Sequence, residues 1–112
     1  LEGAWKRNFA EKEGFFDSRK KEGRVNRPLD ISVNEKGTVY IADVSNRRVD
    51  AFSPEGGYLF GIGPSLGGYE LSEPSAVAWD NEGFLYFADR GLKRIFKCEP
   101  SGALVASFGA EG

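Results

Sequence analysis

One stretch of this chain occurs twice. Residues 28–63, shifted by 46 positions, fall on residues 74–109 without a gap. Pro28 meets Pro74, Gly37 meets Gly83, and Tyr40-Ile41-Ala42-Asp43 meets Tyr86-Phe87-Ala88-Asp89. Arg48 meets Arg94, Pro54-Glu55-Gly56 meets Pro100-Ser101-Gly102, and Gly63 meets Gly109. The shared positions are turn formers and one Asp–Arg pair; the positions between them keep apolar character without identity. A duplicated structural unit keeps its turns and its inward pattern, because these decide the path of the backbone.

Each copy reads as four strands. Residues 29–34 alternate apolar and polar side chains, and residues 38–43 are rich in β-branched and aromatic types. Residues 48–53 and 57–62 complete the first set, and residues 75–80, 84–89, 94–99 and 103–108 form the second. The turns between them are Asn34-Glu35-Lys36-Gly37 and Asp80-Asn81-Glu82-Gly83, then Ser53-Pro54-Glu55-Gly56 and Glu99-Pro100-Ser101-Gly102. Asn, Asp, Pro and Gly fall where tight turns use them. Residues 63–73 read as a Gly- and Pro-containing linker. No helical period appears, and a period of about 40–50 residues suits propeller blades. The expected fold class is all-β, with four-stranded antiparallel sheets as the blades of a β-propeller.

These residues resemble the NHL repeat. That family's blade opens with a Gly-x-Phe-x-x-Pro lead-in, runs to a Gly turn, continues as Val-Tyr-Val-Ala-Asp and an Asn-x-Arg-Ile segment, and closes on Phe-Gly. Gly23 to Pro28 matches the lead-in, Val39-Tyr40-Ile41-Ala42-Asp43 the second strand, and Asn46-Arg47-Arg48-Val49 the following segment. In the second copy Leu85-Tyr86-Phe87-Ala88-Asp89, Arg94-Ile95 and Phe108-Gly109 match, while Leu92 replaces the Asn and Tyr69 the lead-in Gly. The resemblance implies a propeller, commonly six-bladed. Residues 23–63 and 64–112 are the expected blades. Residues 1–22 are read as an outer strand of a preceding blade (2–9) plus a charged loop. Each blade needs a neighbour on both sides. The chain is therefore expected to be a fragment of a longer propeller or to assemble with other chains or copies of itself. Three two-blade copies would close a six-bladed ring, whereas the stray first strand favours the fragment.

Composition narrows the chemistry. With 0 His and one cysteine, Cys98, the usual soft metal ligands and any Ser–His or Cys–His pair are missing. The metal-bound His that some NHL-type enzymes acting on peptide termini use therefore has nothing to attach to, and neither catalysis nor a cofactor is expected. Cys98 aligns with Phe52 and reads as a packed side chain. Gly61-Ile62-Gly63 and Gly67-Gly68 lack the strand–loop–helix context of a phosphate loop. No apolar run reaches the ~18 residues of a membrane span. The chain begins at Leu1 and not at Met, as a processed product or a piece of a longer chain does; a processed product would point outside the cytoplasm, and the compartment otherwise stays open, with a soluble chain expected.

Asp43 with Arg48, and Asp89 with Arg94, bracket the same turn in both copies. Recurrence favours a structural pair that pins the turn, since one catalytic centre needs no copy per blade. Charge is distributed unevenly. The connections 10–28, 43–48, 61–74 and 89–94 share one face and carry 11 of the 15 basic residues with 8 acids, about +3 against −5 elsewhere. This face is either an ordinary solvated surface or a site for an anionic partner such as RNA. Phe15-Phe16 beside Arg19, Lys20 and Lys21 are read as a plug into the same assembly or a partner contact. Phe15, Phe16, Arg19, Lys20, Lys21, Arg47, Arg90 and Lys93 are the expected partner-binding residues. The expected role is a protein-interaction scaffold, with RNA or another polyanion as the alternative partner.

Overall fold

The computed structural model describes residues 25–109. The expected outer strand at 2–9, the loop at 10–22 and the residues Phe15, Phe16, Arg19, Lys20 and Lys21 lie outside them. β1 (Pro28–Val33), β2 (Val39–Asp43), β3 (Arg48–Phe52) and β4 (Tyr58–Ile62) form one sheet in the order β1-β2-β3-β4. β7 (Pro74–Trp79), β8 (Leu85–Asp89), β9 (Arg94–Cys98) and β10 (Leu104–Gly109) form a second sheet of the same order. Strand pairing is antiparallel throughout.

The 46-residue offset survives in detail. Asn34 Oδ1 accepts from Lys36 N and Thr38 N, and its counterpart Asp80 Oδ1 accepts from Glu82 N and Phe84 N. A short polar side chain thus closes the first turn of each sheet locally. Gly37 and Gly83 follow with φ of 87° and 92°, a region that a Cβ disfavours. The register slips at Pro28/Asp30 and Pro74/Ala76, and again at Ala51/Phe52 and Leu104/Ala106. The bulged residues of the outer strands, Leu59 and Val105, are 49% and 47% exposed.

The linker reading needs correction. β5 (Ser65–Leu66) and β6 (Tyr69–Glu70) make a small hairpin within residues 63–73. Its turn is Gly67-Gly68, with φ of 54° and 89°, the left-handed pair that a two-residue hairpin turn requires. Strands of two residues are too short to show a period. Gly-Gly between Leu66 and Tyr69 was the available signal.

The sheets pack face to face. The back of the first, Tyr40, Ala42, Val49, Ala51 and Ile62, meets the front of the second, Val77, Leu85, Phe87, Phe96 and Cys98, in one buried cluster. Phe87 and Phe96 stack at 5.1 Å, and Tyr40 meets Trp79 edge-on at 4.8 Å. Burying each such ring contributes about 1.5–3 kcal/mol. Two polar links cross this junction: Val77 N donates to Asp30 Oδ2 at 3.0 Å, and Tyr40 O–H donates to the Pro100 carbonyl at 2.8 Å. The front of the first sheet holds a second buried cluster, Val25, Val39, Ile41 and Phe52.

Candidate functional site

The turns after β2 and β8 hold the repeated Asp. Asp43 accepts from Asn26 N and Arg27 N of the lead-in, and from Asn46 N and Asn46 Nδ2 of the turn. Asp89 does the same with Ser72 N, Glu73 N and Leu92 N. Both carboxylates are fully buried. Each ties the strand before it to the turn after it by satisfying backbone donors that would otherwise be orphaned.

The arginines do different work from that expected. Arg48 and Arg94 lie in register opposite Asp43 and Asp89. Yet Arg48 Nε pairs with Asp50 Oδ1 at 2.5 Å, and Arg94 reaches Ser107 Oγ at 2.9 Å and lies 5.0 Å from the Tyr69 ring centroid. The Asp–Arg turn pair is therefore corrected: the Asp alone pins the turn, because its oxygens are taken by N–H groups closer at hand.

Of the proposed partner-binding residues, Arg47, Arg90 and Lys93 are described, and all three are exposed on the turns. Arg90 pairs loosely with Glu73 at 3.5 Å, an exposed contact worth about 0–1 kcal/mol. Arg47 and Lys93 occupy equivalent positions with φ of 56° and 59°. A side chain held left-handed costs about 1–2 kcal/mol, and both repeats place a cation there. At the opposite end, a cleft of about 650 Å³ opens between the turns at 34–37 and 80–83. Glu35, Glu82 and Glu99 line it with Trp79 and Lys36, so the two ends differ in sign. Among the described residues no group of three or more His, Cys, Asp or Glu is placed to hold a metal ion. Burial pushes the Cys98 thiol up to about 11, which leaves it unreactive at neutral pH. No helix among the described residues is long and apolar enough to cross a membrane.

The largest apolar exposure lies on the back of the second sheet. Ile95 and Phe108 are 46% and 52% exposed, whereas their counterparts Val49 and Ile62 are 0% and 3%. Ala76 and Ala78 on the same face are exposed, and Tyr86 and Ala88 half-buried. Lys97 lies among them at the place of the fully buried Ala51. On the front of the first sheet, fully buried Asp50 stands where the second sheet has Phe96. Among the described residues its Oδ2 has no hydrogen-bond partner, and burial pushes the carboxyl up to about 6 against the pull of Arg48. Asp50 and Lys97 were not singled out from the sequence. Aligning the repeats residue by residue would have exposed both, since each puts a charge where its sister has Phe or Ala.

No protein-family model matches this sequence, and no curated protein matches it significantly. Solved structures do resemble the fold. A catalytically inactive virginiamycin B lyase from Staphylococcus aureus with quinupristin superposes with a TM-score of 0.62 at 16% identity, over 77% of this chain and 28% of that one. A structure of streptogramin B lyase gives 0.61 at 14%, over 76% and 27%. A protein of unknown function from Bacteroides caccae gives 0.60 at 20%, over 71% and 27%. The chain spans about a quarter of the length of each. With the meander order and the face-to-face stacking, this defines the two sheets as β-propeller blades. It also overturns the expectation that the chain is not an enzyme. Lyases use the same architecture, so a repeated Asp that serves a turn says nothing against chemistry elsewhere on such a fold.

Proposed function

We propose that this chain is an NHL-type propeller module that works through protein interaction, receiving a further blade on the back of its second sheet. The observation that carries the reading is the contrast at equivalent positions: Val49 and Ile62 are closed by a neighbouring sheet, Ile95 and Phe108 are not. A contiguous apolar face of this kind marks an interaction site. The NHL-type assignment gains support from Asp43 and Asn46, the matched motif residues, which bond to one another at 2.7 Å. The blade would come from the same ring or from another chain.

The test is the whole chain with a second copy of residues 64–109 in place of residues 110–112. The appended unit should dock, shifting the side-chain NMR signals of Ile95 and Phe108 and unfolding together with its host. An appended unit that tumbles independently would end the reading.

A second reading is binding of RNA or another polyanion on the basic end. Arg47 and Lys93 favour it, because both hold strained backbone positions where glycine would fit better. Replacing both by Gly should weaken binding of single-stranded RNA and flatten its salt dependence. Equal affinity would dismiss it.

A further inference from the structure

Equivalent arginines of the two sheets are answered differently. In the first, Arg48 finds a carboxylate on its own strand, Asp50. In the second, Phe96 stands at the place of Asp50. Arg94 turns instead to neutral groups: its Nη2 donates to Ser107 Oγ at 2.9 Å, and its Cζ lies 5.0 Å from the Tyr69 ring centroid. Its Nε is buried and has no hydrogen-bond partner among the described residues. The acids around it are engaged elsewhere. Asp89, opposite Arg94 in register, accepts from Ser72 N, Glu73 N and Leu92 N. Glu70, next to Tyr69 in the hairpin, accepts from Ser65 Oγ, and Glu73 faces Arg90. Among the described residues no carboxylate pairs with Arg94.

The cluster has more donors than acceptors to meet them. A guanidinium carries five N–H groups, and one of Arg94's meets an acceptor here. The Tyr69 and Ser107 hydroxyls stand 3.4 Å apart and either can donate; whichever does, the other proton is left for a further acceptor. The parts are held in place. Phe96 meets the Tyr69 ring edge-on at 5.2 Å, and a Cβ at Gly109 would stand 2.8 Å from Arg94 Nη1, a place only glycine leaves open. Arg94, Tyr69 and Ser107 are half-buried and Gly109 is exposed, so the cluster lies at the surface. A cation partly withdrawn from water gains by meeting an anion. We propose that Arg94, Tyr69 and Ser107 form a binding site for one oxyanion, the carboxylate or phosphate group of a small ligand. A guanidinium fork takes either group in two parallel hydrogen bonds, and the spare hydroxyl proton supplies a third donor. Arg90 and Lys93, exposed on the adjoining turn, draw an anion to this corner. The first sheet offers no such site, because Asp50 already answers Arg48.

Titrating the whole chain with sodium phosphate or sodium acetate, at an ionic strength held constant with chloride, tests it. The Ser107 and Gly109 amide NMR signals should shift and saturate with at least one of the two. Saturation by phosphate alone marks a phosphate ligand, by acetate alone a carboxylate, and by both the chemistry they share. Arg94→Gln should abolish saturation. Tyr69→Phe keeps the ring and should weaken binding about tenfold, the scale of one hydrogen bond to a charged group. Lys93→Gln changes only the charge of the turn and should weaken it by less than about threefold. Shifts that stay linear with both anions overturn the site, and so does saturation that survives Arg94→Gln. Should Arg94→Gln fail to fold, Tyr69→Phe decides: unchanged affinity overturns the inference.

Discussion

Ile62 and Phe108 hold the same place in the two repeats, at the end of the outer strand and on the back of the sheet. One is 3% exposed and the other 52%. Leu59 and Val105, three residues earlier in each copy, are about equally exposed in both sheets. The repeat therefore sets which way a side chain points, while a neighbouring sheet sets whether it is buried. The front faces differ in kind as well. Half-buried Arg48 pairs with buried Asp50 in the first sheet; in the second, Arg94 turns to Tyr69 and Ser107, and Phe96 stacks on Phe87. The same backbone thus sets a buried carboxylate into an apolar front on one blade and an aromatic ring at that place on the other.

Truncating Ile62 and Phe108 is the sharpest way to break this comparison. Ile62→Ala should destabilise the chain by about 2–4 kcal/mol, because a cavity opens between the sheets. Phe108→Ala should cost about 0.5 kcal/mol or less, as exposed positions do. Chemical denaturation followed by circular dichroism measures both, and equal losses would mean the back of the second sheet is covered after all.

Asp50 gives the next largest effect. Burial holds its folded-state pKa at about 6, above the ~3.9 of an unfolded Asp. The folded chain therefore binds the proton more tightly, and the group's contribution is full below about pH 4 and lost as pH rises through 6, roughly 2–3 kcal/mol in all. Asp50→Asn removes the titration. Measured denaturation midpoints should shift in favour of the Asn variant by about that amount between pH 4 and pH 7. A pH-independent difference would show that the carboxyl is not held neutral by its surroundings.

The smallest effect belongs to the turns. Arg47→Gly and Lys93→Gly should each stabilise by about 1 kcal/mol, since both residues sit at positive φ. Thermal unfolding checks it. A gain at one turn and not the other would reveal that the repeats differ there in more than sequence.

Much of this was legible in the chain itself. The offset of 46 residues placed eight strands and four turns, because turn residues and alternation act locally. The burden on Asp43 and Asp89 was half legible. Their recurrence announced a structural role, but the donors come from residues 16 or 17 positions earlier in the chain, a pairing that no local pattern encodes. The hairpin at residues 65–70 escaped because its strands are too short to alternate.

The sequence by itself determined a duplicated all-β unit and the direction of nearly every side chain in it, since both follow from short-range backbone preferences. Only the tertiary structure decided which faces meet, which arginine finds which partner, and that Asp50 is buried while Ile95 and Phe108 stay open. Those outcomes depend on what lies across a sheet, and distance along the chain carries no information about that.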